Sequence, residues 1–91
     1  MPEFLISPER AIQIKTLSER LPTLRKKGHI SQEKLGHMVG KSRQKISDIE
    51  RGTAPLGWDT YIAICVALES AGVFDEEADS WYFIQKKKWF K

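Results

Sequence analysis

Two glycines, Gly36 and Gly40, placed within residues 32–51 constrain this chain more than any other feature. Leu35, Met38 and Val39 fall on one side of a helix ending at Gly40, and Ile46 and Ile49 fall on one side of a second helix ending near Arg51. Ser31 and Ser42 stand where each helix would begin, and a serine there accepts a hydrogen bond from an otherwise unpaired N–H of the first turn. Lys34 occupies the place of a capping-box glutamate, so the first cap is half formed. Gly40 suits a turn that needs a left-handed backbone. Gly36 leaves room for close approach of the second helix. The spacing therefore predicts two short helices crossing through a tight turn, sharing an apolar contact of Leu35, Val39, Ile46 and Ile49. Two strongly apolar residues between Ser42 and Arg51 make a thin stripe. The rest of that helix must face solvent or something polar, and Arg43, Gln44, Ser47 and Asp48 lie on its outward side.

The flanking segments also read as helices. Ser7-Pro8-Glu9 is a helix start, with Ser7 as cap and proline at the first helical position. Thr16 and Glu19 have capping-box spacing and mark a second start. Pro22 interrupts the pattern of Ile12, Leu17, Leu21 and Leu24. The expectation is a short leading helix followed by a first domain helix, kinked or restarted at Pro22 and ended by Gly28. Residues 52–57 form a loop by their glycine and proline content. A fourth helix follows from Trp58 or Asp59 to Ser70 or Ala71, burying Ile62, Cys65, Val66 and Leu68. Asp75 is placed to cap a short fifth helix over residues 76–81. Residues 82–91 fit helix and strand equally.

The fold class expected is all-α: a compact bundle of about five short helices with a leading helix and an aromatic, basic C-terminal extension. Its divisions are a leading segment at 1–15, a domain at 16–74 and an extension at 75–91. At 91 residues the chain has room for one domain. No apolar run approaches the length needed to cross a bilayer, and the start lacks the pattern of a secretory signal. Cys65 is the single cysteine, so no internal disulfide and no cysteine metal site is expected, which fits a reducing cytoplasm. His29 and His37 read as surface residues and Cys65 as a core residue. No serine, histidine and carboxylate can be tied into a catalytic set by spacing, so neither catalysis nor a cofactor is expected. The net charge of +3 and a pI near 9.1 favour an anionic partner only weakly. Charge is segregated, however: basic stretches lie at Lys15–Lys27, Lys41–Arg51 and Lys86–Lys91, and acidic residues gather at Asp75–Asp79.

From Leu17 to Phe74 the sequence resembles the phage-repressor (Cro-like, XRE-type) helix-turn-helix family. The resemblance runs through Leu17-Ser18-Glu19-Arg20-Leu21, Leu24-Arg25, Ile30-Ser31-Gln32-Glu33-Lys34-Leu35, Gly40, Ser42, Ile46-Ser47, Ile49-Glu50-Arg51-Gly52, Pro55 and Ala67-Leu68. It implies a lambda-repressor-like domain that binds a double-stranded DNA operator, with helix 42–51 in the major groove. By the same resemblance Arg43, Gln44, Ser47 and Asp48 face base edges. Gln32, Ser42, Lys45, Arg51 and Thr53 hold the phosphate backbone, and Arg25 pairs with Glu50 as a structural ion pair. Three departures are visible. Gly36 stands where alanine is usual, Lys41 stands in a turn where an apolar residue is common, and Pro22 lies in the first helix.

The resemblance implies a transcription regulator acting as a homodimer. It also permits an antitoxin that binds a toxin protein as well as its own operator. Trp81, Tyr82, Phe83, Trp89 and Phe90 fit either a tail folded back over the leading helix or a dimer contact, and the dimer contact is preferred because no other module is present to pair two half-site readers.

Overall fold

A computed structural model describes residues 8–89, with side chains described as far as Lys86. Ser7 and Phe90, and the side chains of Lys87, Lys88 and Trp89, fall outside the described residues. Among the described residues, five α-helices account for the regular structure: α1 (Pro8–Lys27), α2 (Gln32–Val39), α3 (Arg43–Arg51), α4 (Trp58–Ser70) and α5 (Ser80–Trp89). The domain measures 32 × 28 × 19 Å.

The expected break between a leading helix and a domain helix is absent. α1 is one helix of 20 residues that carries Pro22 in its interior. Proline removes the hydrogen bond that residue 22 would donate to the Ser18 carbonyl. Leu17, Leu21 and Leu24, all fully buried, lie on either side of it along one face, so tertiary burial on both flanks holds the helix together. Thr16 caps nothing. Its hydroxyl donates back to the Ile12 carbonyl at 2.8 Å, as a mid-helix threonine does.

α1 ends without a left-handed glycine. Ile30 N–H donates to the Arg25 carbonyl at 2.9 Å and His29 N–H to the Lys26 carbonyl at 3.1 Å, a Schellman arrangement that ties off the last carbonyls. His29 holds its left-handed position with φ 57°. Gly28 is required for a different reason: a Cβ there would lie 2.7 Å from Val73 Cγ1.

The core is built from Leu17, Leu21 and Leu24 of α1, Leu35 of α2, Ile46 and Ile49 of α3, and Tyr61, Ile64, Cys65 and Leu68 of α4. α1 packs on α3 and α4, and α2 packs on α3 and α4. Two expected core members lie outside it. Met38 and Val66 are exposed, and Ile62 is half-buried. Tyr61 and Ile64 are fully buried in α4 instead: the helix packs on α1 and α2, and Tyr61 also meets Gln85 of α5.

α5 starts later than expected, at Ser80, not Glu76. Asp75 Oδ1 does accept from Glu77 N–H and Ala78 N–H, at 2.7 and 2.9 Å, but this closes a turn and starts no helix. The turn is fixed by Asp79, whose fully buried carboxylate accepts from Asp75 N–H at 2.9 Å and pairs with Arg20 at 2.8 Å. Beyond it Trp81, Tyr82 and Phe83 pack against the chain's own core. Phe74 stacks on Tyr82 with centroids 3.9 Å apart, and Tyr82 Oη donates to Glu69 at 2.6 Å. Tyr61 Oη donates to the buried Gln85 side chain.

Candidate nucleic-acid interface

The α2–turn–α3 unit owes its shape to two serines and two glycines. Ser31 Oγ accepts from Lys34 N–H and Ser42 Oγ accepts from Lys45 N–H, each at 3.0 Å. Each hydroxyl therefore keeps its own O–H for another acceptor. Gly40 closes α2 with φ 73°. The turn then folds tightly back, with Lys41 N–H donating to the Gly36 carbonyl at 2.8 Å. The reason for Gly36 is more local than helix-to-helix approach. A Cβ at residue 36 would lie 2.5 Å from the carbonyl oxygen of Lys41, inside the turn itself.

α3 is amphipathic in the way its thin apolar stripe implied. Ile46 and Ile49 are fully buried, while Arg43 and Gln44 are exposed and Ser47 and Asp48 half-buried. Among the described residues, no hydrogen bond or ion pair holds Arg43. Gln44 Nε2 donates to Asp48 Oδ1 at 2.9 Å, and Arg51 pairs with the same oxygen. These two hydrogen bonds, Gln44 first, hold the Asp48 carboxyl below its ordinary range.

The residues around α3 are tied to it in several ways. Lys45 Nζ reaches the Pro55 carbonyl at 3.3 Å. Thr53 donates twice to the Asp48 carbonyl, from its backbone N–H at 2.9 Å and its hydroxyl at 3.3 Å, which fastens the end of the helix to the loop. Gln32, at the start of α2, donates from Nε2 to Glu50 Oε1 at 3.0 Å. Glu50 also accepts from Arg25 Nε at 2.6 Å and Arg25 Nη2 at 3.1 Å. Arg25 Nη1 donates onward to the Ile30 carbonyl at 3.0 Å. One carboxylate thus joins α1, α2 and α3, and fixes the pitch of α3 against the other two.

Of the residues singled out in the sequence, Arg43, Gln44, Ser47 and Asp48 share the outward side of α3, with Ser42 at its N-terminus and Arg51 and Thr53 at its C-terminal end. Gln32 is drawn toward the Arg25–Glu50 pair. The Gln44–Asp48–Arg51 chain is an addition to the sequence reading, and its signal there is the spacing of three and four residues that makes helical neighbours. The Arg20–Asp79 pair joins residues distant in sequence, and no local pattern announces it.

His29 and His37 are exposed, and Cys65 is fully buried, its thiol pushed up to about 12 by burial. No helix among the described residues is long and apolar enough to cross a membrane.

A helix-turn-helix family model matches residues 23–70, more than half of the chain. Neither the comparison with curated proteins nor that with solved structures finds a match. The matched segment contains α2, the Gly40 turn, α3 and α4, and it begins within α1 just before Arg25. The chain belongs to the Cro-like, XRE-type helix-turn-helix family, a family of DNA-binding regulators.

Proposed function

We propose that this chain binds a specific duplex site by laying α3 in the major groove, and that it regulates transcription as a homodimer in the cytoplasm. The observation that carries the reading is the split of α3. One face is locked into the core by Ile46 and Ile49, and the other offers Arg43 and Gln44 to solvent from a backbone fixed at both ends. Arginine matches guanine O6 and N7, and glutamine matches adenine N7 and N6. Ser47 lies on the same side for a further base contact. The N-termini of α2 and α3 present unpaired N–H groups to phosphate, beside Gln32 and Ser42, while Lys45, Arg51 and Thr53 flank the groove. No catalytic role is part of this reading.

A dimer follows from the way such readers work. One short helix spans few base pairs, and paired half-sites about 34 Å apart supply the rest of the specificity. Ile12 of α1 and Ile84 of α5 are exposed beside Trp81 on one side of the domain. This apolar strip is where a second protein chain, an identical copy or a toxin, would find purchase.

The test is a titration against a pool of random duplexes over a salt series, with the bound fraction sequenced. Enrichment of a two-fold symmetric site, with affinity falling steeply as salt rises, is the expected result. Salt-sensitive binding without any enrichment would remove sequence-specific reading, and absence of binding at about 50 mM salt would remove DNA as the ligand. Purification with a tightly held second protein would favour the antitoxin reading over the autonomous regulator.

A further inference from the structure

The outward face of α3 carries a carboxylate, and a carboxylate is a poor choice for a surface that meets a polyanion. Asp48 is not idle there. Its Oδ1 accepts from Gln44 Nε2 at 2.9 Å and from the Arg51 guanidinium, four residues before it and three after. The Arg51 side chain is 60% exposed and meets Asp48 from three residues along the same helix. The Asp48 backbone carbonyl accepts from the Thr53 N–H and hydroxyl, which anchors the last turn of α3 to the loop that follows it.

The chemistry of the two donors differs in what the pairing leaves over. Gln44 has two amide hydrogens and gives one to Asp48. The other hydrogen and Oε1 remain, enough for a two-bond contact with adenine N7 and N6. The amide is also held against rotation, so donor and acceptor are presented in one order. Arg51 gives a guanidinium N–H to the same carboxylate, and while that contact holds, that N–H is not offered to phosphate.

We propose that Asp48 is a specificity-determining residue that acts as an internal competitor of DNA phosphate, holding Arg51 from the backbone while orienting Gln44 for a base. This rests on the reading of α3 as the element that enters the groove. A duplex of random sequence offers the same phosphates as a matched site without its matching base edges, and it gains the Arg51 contact only by breaking the Asp48–Arg51 pair. A matched site is read by the outer edge of Gln44 with the pair intact. Asp48 therefore lowers random binding more than matched binding.

The experiment measures binding to a random-sequence duplex and to the pool-enriched duplex over a salt series, for the unaltered chain, Asp48→Asn, Arg51→Ala and the double variant. Asp48→Asn is expected to bind the random duplex about 5-fold tighter at low salt. Its logarithmic salt slope should steepen by about one, the signature of one added phosphate contact. The ratio of enriched to random affinity should fall. Arg51→Ala alone should leave the random-duplex slope unchanged, and in the double variant the steepening should vanish. An unchanged slope in Asp48→Asn would overturn the proposal. So would steepening that persists in the double variant, since the carboxylate would then act by plain charge repulsion. Absence of salt-dependent binding by the unaltered chain would instead overturn the reading of α3, and this inference with it.

Discussion

Arg25 and Glu50 face each other through two parallel hydrogen bonds, 2.6 and 3.1 Å long, with side chains only 11% and 7% exposed. Removing one partner strands the other charge in the interior, which costs about 3–5 kcal/mol in comparable pairs. Glu50→Ala should therefore destabilise the domain by that order, measured by urea unfolding, and should also release Gln32. Arg25→Met combined with Glu50→Leu should cost less than Glu50→Ala alone, because no unpaired charge remains. A double variant as unstable as the single would show that the pair's geometry, and not the stranded charge, dominates.

Gly36 is the second point where a small change tests the motif directly. Alanine is the better helix former by about 1 kcal/mol and would stabilise an open helix. Here its methyl would lie 2.5 Å from the Lys41 carbonyl, and that carbonyl belongs to a turn already closed by the Lys41 N–H bond to Gly36. Overpacking of this kind costs about 1–3 kcal/mol. Gly36→Ala should lower the urea midpoint, with the turn strained and the seat of α3 shifted. A raised midpoint would mean that the turn yields freely.

These two sites also show how far the sequence could be read. Ser31, Ser42 and Gly40 act within a few residues of themselves, and Ile46 and Ile49 stand out as a stripe at helical spacing, so their roles are visible as local pattern. Gly36 is legible as a place that must be small, but the atom it makes room for, the Lys41 carbonyl oxygen, belongs to the folded turn. Elsewhere the deciding contacts are distant. Whether Pro22 breaks a helix depends on how firmly Leu17, Leu21 and Leu24 are buried, and local propensity does not contain that information. Asp75 reads as the cap of the last helix, yet α5 begins only after Asp79. The turn before it is fixed through Arg20, which lies 59 residues from Asp79 in sequence and ties its carboxylate down. Met38 and Val66 sit at the edges of apolar stripes, and periodicity alone does not say where a neighbouring helix stops covering such a stripe.

The buried thiol supplies a prediction in pH. Burial raises Cys65 from its ordinary value of 9.0 to about 12 in the folded chain, so the folded state keeps its proton where the unfolded state loses it. Between those values the unfolded chain binds fewer protons, and stability falls as pH rises. The contribution is fully present below pH 9.0 and is lost progressively toward about 12. Burial raises the Tyr61 and Tyr82 hydroxyls as well and adds to the same slope at higher pH. Cys65→Ala should flatten the first part of this alkaline limb in unfolding experiments while lowering stability near neutrality through lost packing. An alkaline limb identical in the variant would remove Cys65 as its source.

Arg43 and Lys45 are two residues apart on α3 and should fail in different ways. Arg43 projects from the exposed first turn, and no hydrogen bond or ion pair among the described residues holds it. If it reads a base, Arg43→Ala costs about 1–3 kcal/mol on the matched duplex and relaxes preference at one base pair, with little effect on random DNA. Lys45 is half-buried and its ammonium already leans toward the loop, 3.3 Å from the Pro55 carbonyl. A cation held there by one neutral carbonyl keeps donors for phosphate. Lys45→Ala should weaken matched and random duplexes alike and make the salt slope shallower by about one. Measuring both variants against both duplexes separates a base contact from a backbone contact. An Arg43→Ala that lost affinity equally on every sequence would turn that side chain into a phosphate holder and leave Gln44 and Ser47 as the base readers of α3.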